Sequence, residues 1–222
     1  WFYHKRVRTA VSLFGSLFNN LYILRQNSSG ETISQVKVPL SYAPKRNFIS
    51  RLGEMSKGED VERRVAIKLP RMSFEITSMA YEATRQLPKV NSISKAIENS
   101  YLTRQKLYTS TPYTITFQLN IYAKSQDDAL QIVEQILPYF APQYTVTVKP
   151  FTDIPTLTED VPITLSSVAF SDDYEGALEQ RRTIIYTLDF EMKISFHGPI
   201  NDGASIIRDV RSNFFIIGSG LA

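Results

Sequence analysis

From residue 113 to 122 the chain alternates without a break. Tyr113, Ile115, Phe117, Leu119 and Ile121 are interleaved with Thr114, Thr116, Gln118, Asn120 and Tyr122. A period of two puts the first set on one face of a β-strand and the second on the other. The fold must therefore include a sheet with a buried face. Ser125 follows, three residues before Asp128, an acidic variant of the capping box. It opens a helix whose stripe is Ala129, Ile132, Val133, Ile136 and Leu137. Pro138 stands in its last turn and Pro142 bars continuation. Residues 144–151 then read as a strand. This strand–helix–strand order predicts two parallel strands joined by a right-handed crossover.

Other segments are read in the same way. Val7, Ala10, Val11, Phe14, Leu17 and Phe18 recur at helical spacing and predict a helix over 3–19, ended by Asn19-Asn20. Residues 21–25 and 33–40 read as a hairpin about the turn signal at 27–30, with Pro39 near its end. Residues 44–52 read as a helix with Phe48, Ile49 and Leu52 buried, and 56–64 as an exposed loop. Residues 65–69 and 72–81 read as strand broken by Pro70, with Met72, Phe74, Ile76 and Ala80 on one face. No clean period runs through 85–108, which reads as a long loop or extended arm of the kind that binds partners. Residues 161–170 and 183–196 predict a long β-hairpin about an acidic turn at 171–179. Residues 206–217 lean to strand. The fold class is α+β with one α/β-type unit, and the 222 residues read as one domain.

Composition narrows the chemistry. No cysteine is present, which excludes disulfides, thiolate metal sites and a cysteine nucleophile. Two histidines leave no room for a multi-histidine site. No glycine-rich phosphate loop or nucleophile elbow occurs. Ser92 and Lys95 have an SxxK spacing without supporting motifs. Asp127-Asp128 begins a helix, and Asp172-Asp173 with Glu175 matches no calcium loop. The reading is a protein without enzymatic activity, metal or cofactor. No window matches a membrane-spanning segment, so the chain reads as soluble and intracellular. It starts at Trp1 rather than Met, which leaves room for residues upstream.

Basic residues are the candidates for partner contact. His4, Arg6 and Arg8 sit in the first turns of the first helix, where the dipole disfavours cations. An acidic partner is the functional alternative to a solvated end. Lys45-Arg46, Arg63-Arg64 and Arg181-Arg182 are each too short for a nucleic-acid patch. Arranged around a ring they would make a positive surface. The net charge of +3 is far below that of a chain dedicated to coating nucleic acid.

Five segments in order carry a resemblance: FGSLFNN with YILRQ (14–26), KVPLSYAPK (37–45), LPRMSFEI (69–76), IVEQILPYFAP (132–142) and RRTIIYTLDFEM (181–192). The series resembles the tail sheath stabiliser and completion proteins of T-even-like contractile-tailed phages, over residues 3–214. The resemblance implies a tail-terminator-like fold, a curved mixed sheet flanked by helices. It implies a hexameric ring in the virion, at the neck end of the tail, assembled in the host cytoplasm. Its partners would be the tail terminator, the sheath and the neck or head completion proteins, with DNA passing through the channel unread. A proline-rich acidic tail known in the family has no counterpart before Ala222, so contacts by such a tail are not carried over. The alternatives are a related terminator or head–tail connector, and a nucleic-acid-binding protein.

Overall fold

The computed structural model describes residues 1–26, 31–47, 69–96, 103–151, 157–173, 183–205 and 210–212. Two compact units emerge. The larger holds Trp1, Tyr3–Gln86 and Thr111–Phe196, and the smaller Phe2, Leu87–Ser110 and His197–Ala222.

The larger unit is built on the alternating segment. It forms β7 (Thr111–Ala123), and every residue expected on the buried face from Ile115 to Ile121 is fully buried. Its neighbours are β4 (Arg71–Tyr81) on one side and β10 (Thr183–Phe196) on the other, both antiparallel to it. β9 (Glu159–Asp173) pairs antiparallel with β10 and completes the expected long hairpin. β8 (Gln143–Val148) lies outside β9, and β3 (Leu40–Tyr42) lies outside β4 in the one parallel pairing among the described residues. The strand order is β3-β4-β7-β10-β9-β8.

That order corrects the expected parallel crossover. β7 and β8 do flank a helix in sequence, α2 (Gln126–Ile136). In space β10 and β9 lie between them. Three successive antiparallel steps set β8 opposite to β7 in direction. The sheet is mixed and curled, as an α+β fold.

α1 (Arg6–Leu17) and α2 cover one sheet face. α1 buries Ala10 and Phe14, with Phe18 just beyond it, while Val7 is exposed. Phe14 is the hub. Its ring stacks on Phe117 at 4.4 Å and 7°, and meets Phe18, Phe74 and Phe190 at 4.9–5.3 Å. α2 adds Ala129, Ile132, Val133 and Ile136 to the same core, whereas Leu137 is exposed in a 3-10 turn (Leu137–Tyr139). In β4 a register shift between Ile76 and Ser78 turns Met79 onto the face expected for Ala80. Such a bulge is how a strand changes face without ending.

β1 (Tyr22–Gln26) and β2 (Thr32–Lys37) form a separate hairpin. The expected strand over 33–40 is divided at Pro39, whose carbonyl accepts from Met72 N–H at 2.9 Å as the chain enters β3. α2 closes the open edge of β1. Gln135 exchanges both amide hydrogen bonds with the backbone of Tyr22, and Gln131 does so with Leu24, at 2.7–3.4 Å. Spacing of i,i+4 on the helix matches i,i+2 on the strand, so two side chains stand in for a strand.

The smaller unit replaces the expected loop over 85–108. β5 (Ser92–Ala96) and β6 (Thr103–Tyr108) form an antiparallel pair, and β11 (Asn201–Ser205) joins β6. Of the helix over 44–52, the described part is a helical turn at Lys45–Asn47. Phe48, Ile49, Leu52, the loop at 56–64 and residues 65–68 lie outside the described residues, as does most of 206–217. No helix among the described residues is long and apolar enough to cross a membrane.

Candidate assembly surfaces

The basic residues at the N-terminus have three different environments. Arg6 is 4% exposed and forms an ion pair with Glu159, while its Nε donates to the Ser195 carbonyl at 3.2 Å. Glu159 Oε1 accepts from Ser195 N–H at 2.8 Å. The guanidinium thus clips the start of α1 to the first residue of β9 and the end of β10. The charge expected to meet a partner is spent inside the subunit. His4 packs edge-on against Phe151, with ring centres 5.0 Å apart. Arg8 is exposed and borders a shallow groove along α1 with Lys5, Thr9, Ser12, Leu13 and Ser16.

Lys45 donates its backbone N–H to Glu75 Oε1 at 2.9 Å, and Arg46 is exposed in the same turn. Arg63, Arg64, Arg181 and Arg182 lie outside the described residues. Among the described residues, the groove brings Arg8 together with Lys5 and not with Lys45 or Arg46. Asp172 and Asp173 stand at the last two positions of β9, and Glu175 lies outside the described residues. Asp128 does not cap its helix: Ser125 makes no side-chain cap bond, and Asp128 pairs with Arg25 at 2.9 Å.

A polar cluster at the end of β4 was not anticipated. Glu82 Oε2 accepts from Arg85 Nε at 2.6 Å and Thr114 Oγ1 at 3.0 Å, and Oε1 lies 3.4 Å from Lys193 Nζ. Burial pushes the Glu82 pKa up, but the Arg85 and Thr114 hydrogen bonds and the nearby cations outweigh it and hold it at about 2, against 4.5 unperturbed. A depressed folded-state value stabilises above the unfolded pKa and is lost as pH falls through the folded one. Stability should therefore drop between pH 4.5 and about 2. Equilibrium denaturation across that range should show the drop in the parent and a shallower one in Glu82→Gln.

The sheet ends in two steps. One row of paired residues starts at β3 and runs Leu40–Tyr42, Met72–Phe74, Leu119–Ile121 and Tyr186–Leu188 to Val168–Phe170 of β9. Beyond that point no described strand follows, because β8 pairs only with residues 159–164. A second row starts at Gln143–Tyr144 of β8 and runs through Ile163–Thr164, Glu191–Met192 and Ile115–Thr116 to Ser78–Met79 of β4. There, too, no described strand follows, because β3 pairs only with 72–74. Each long edge thus has one projecting strand and one notch. Exposed large apolar side chains gather at both. Phe170 is 77% exposed, Tyr42 55%, Met79 42% and Tyr144 37%.

On the opposite face from the helices the sheet is polar. Gln118 donates to Asp189 Oδ1 at 3.1 Å, Ser167 to Asp189 Oδ2 at 2.9 Å, and Thr187 to Asn120 at 3.0 Å. No group of three or more His, Asp or Glu side chains placed to hold a metal occurs among the described residues. The notable surfaces are thus strand edges and a basic groove.

Comparison with known proteins agrees with a chain built for assembly. The tail completion protein gp15 of Enterobacteria phage T4 is 32% identical over 219 residues, spanning 96% of this chain and 78% of the T4 protein. The family described as the T4-like virus Myoviridae tail sheath stabiliser matches residues 1–218. With that match running almost end to end, the chain belongs to the tail sheath stabiliser family of T4-like Myoviridae.

Proposed function

We propose that this structural tail protein forms a homo-hexameric ring at the head-proximal end of a contractile phage tail. There it caps the tube at the terminator, holds the end of the sheath and offers the neck of a filled head its attachment surface. Assembly takes place in the host cytoplasm. The family match over residues 1–218 carries the reading, together with a relative named as a tail completion protein. The physical features are in keeping with it. Ring subunits need broad complementary faces, and heterologous contacts close a ring when the rotation fits. A net charge of +3 suits a channel that passes DNA without gripping it. The role needs neither catalysis nor a cofactor. Arg8, with Lys5 beside it, is the N-terminal charge left to meet an acidic partner. Lys45 and Arg46 are a second basic stretch, in the turn after β3.

The test uses tails assembled without this protein. Adding the purified chain should keep their sheaths extended under conditions where untreated sheaths shorten, and should restore joining to filled heads. Tails that bind the protein no better than an unrelated control overturn the reading. Arg8→Glu should weaken tail binding about tenfold, a loss of ~1.4 kcal/mol.

A further inference from the structure

We infer that successive copies of this chain join sheet edge to sheet edge, each notch receiving the projecting strand of the next copy. β3 of one copy fills the gap beside Val168–Phe170 of its neighbour. β8 of that neighbour fills the gap beside Ser78–Met79. The inference rests on the ring reading and adds the seam that closes the ring.

Register carries the argument. The row that projects at β3 is the row that stops short at Val168–Phe170. The row that projects at β8 is the row that stops short at Ser78–Met79. One edge therefore has the complementary outline of the other. The two edges are different surfaces, so they meet head to tail, which is the arrangement that generates rings.

Strand sense agrees. Rotation about a ring axis preserves the direction of every strand. β3, β4, β10 and β8 run one way, and β7 and β9 the other. Across the seam β3 would meet β9 antiparallel and β8 would meet β4 parallel. Both pairings are ordinary in a mixed sheet.

The side chains agree as well. Register places Tyr42, Val168 and Phe170 on the face that carries Phe74, Leu188 and Tyr186. It places Tyr144 and Met79 on the face that carries Ile163 and Ile115. The seam thus sets Val168 beside Tyr42, Phe170 beside Leu40 and Tyr144 beside Met79, apolar against apolar on one face. Cross-strand pairs of this kind are the unit of sheet stabilisation.

No described strand pairs with these edges. Natural sheets protect exposed edges with Lys, Pro or a covering element. Residues 165–171 and 76–81 contain no Lys, Arg or Pro. The same fold covers the edge of β1 with two glutamines. An edge that no described strand covers is suited to cover by another copy.

The absence of cysteine in the chain makes the test clean. Two matched double variants are Tyr42→Cys with Val168→Cys, and Met79→Cys with Tyr144→Cys. A diagonal control is Met79→Cys with Phe170→Cys. Each is brought to the assembled state, free or on isolated tails, its mass checked by light scattering, and treated with a short bismaleimide. The matched variants should give a covalent ladder of dimer to hexamer, and the diagonal control and single variants little beyond monomer. Hydrogen exchange on the unmodified chain provides the second reading. Alternate amides in 166–170 and 78–81 should slow at least tenfold on assembly. A confirmed ring with no matched ladder and no slowing overturns the seam and leaves the ring reading standing. A chain that stays monomeric alone and on tails overturns both.

Discussion

Replacing Arg6 with alanine should destabilise the larger unit by about 3–5 kcal/mol, the range for removing one partner of a buried ion pair. The reason lies with the partner left behind. Glu159 is 16% exposed, and after the substitution its charge would keep only the Ser195 N–H. The Ser195 carbonyl would lose its guanidinium donor as well. Much of the loss should return in a double variant, Arg6→Met with Glu159→Gln, because no unpaired charge then remains buried. Denaturant midpoints of the two single variants and the double variant give the coupling energy. Arg6→Ala that unfolds like the parent would show that the clip at the ends of β9 and β10 contributes nothing. Tail binding by the double variant separates a structural role from an interface role. It should match the parent, since Arg6 presents no surface.

Phe14→Ala should cost a similar amount, about 3–5 kcal/mol, by opening a cavity under the sheet. The Phe14 ring touches four other phenylalanines, one just past α1 and the others in β4, β7 and β10, so none can fill the space without leaving its own contacts. Phe14→Leu keeps much of the volume and should lose roughly half as much. Both are read as shifts in urea midpoint at constant slope. Gly15 beside it is also constrained. A Cβ there would lie 3.2 Å from the tip of the Phe74 ring, so α1 sits close to the sheet at this turn.

Parts of this architecture were legible in the sequence because their burial pattern is local. β7, the β9–β10 hairpin and α1 each bury one face of one element, and a single period reveals that. β5 and β6 bury too little for the same signal. Leu107 is the buried apolar side chain of β6, Ile93 in β5 is half exposed, and the flanking positions are polar. Sheet order is not local at all. Nothing between residues 113 and 151 announces that β9 and β10, further along the chain, will insert between β7 and β8. Asp128 and Arg6 mislead for a related reason. Each has a sensible local role, as cap or as free charge, and each is claimed by a partner far away in sequence, Arg25 or Glu159. The notches are least legible, because they exist only once all the registers are known.

The central claim is the ring, and mass tests it most directly. Light scattering on the purified chain, alone and after incubation with isolated tails, should be paired with negative-stain images. Six copies of a 25.3 kDa chain should give a particle of about 150 kDa. Hollow six-fold rings, or a six-fold collar at the end of each tail, are the predicted result. A 25.3 kDa species that adds no density to the tails would contradict the account.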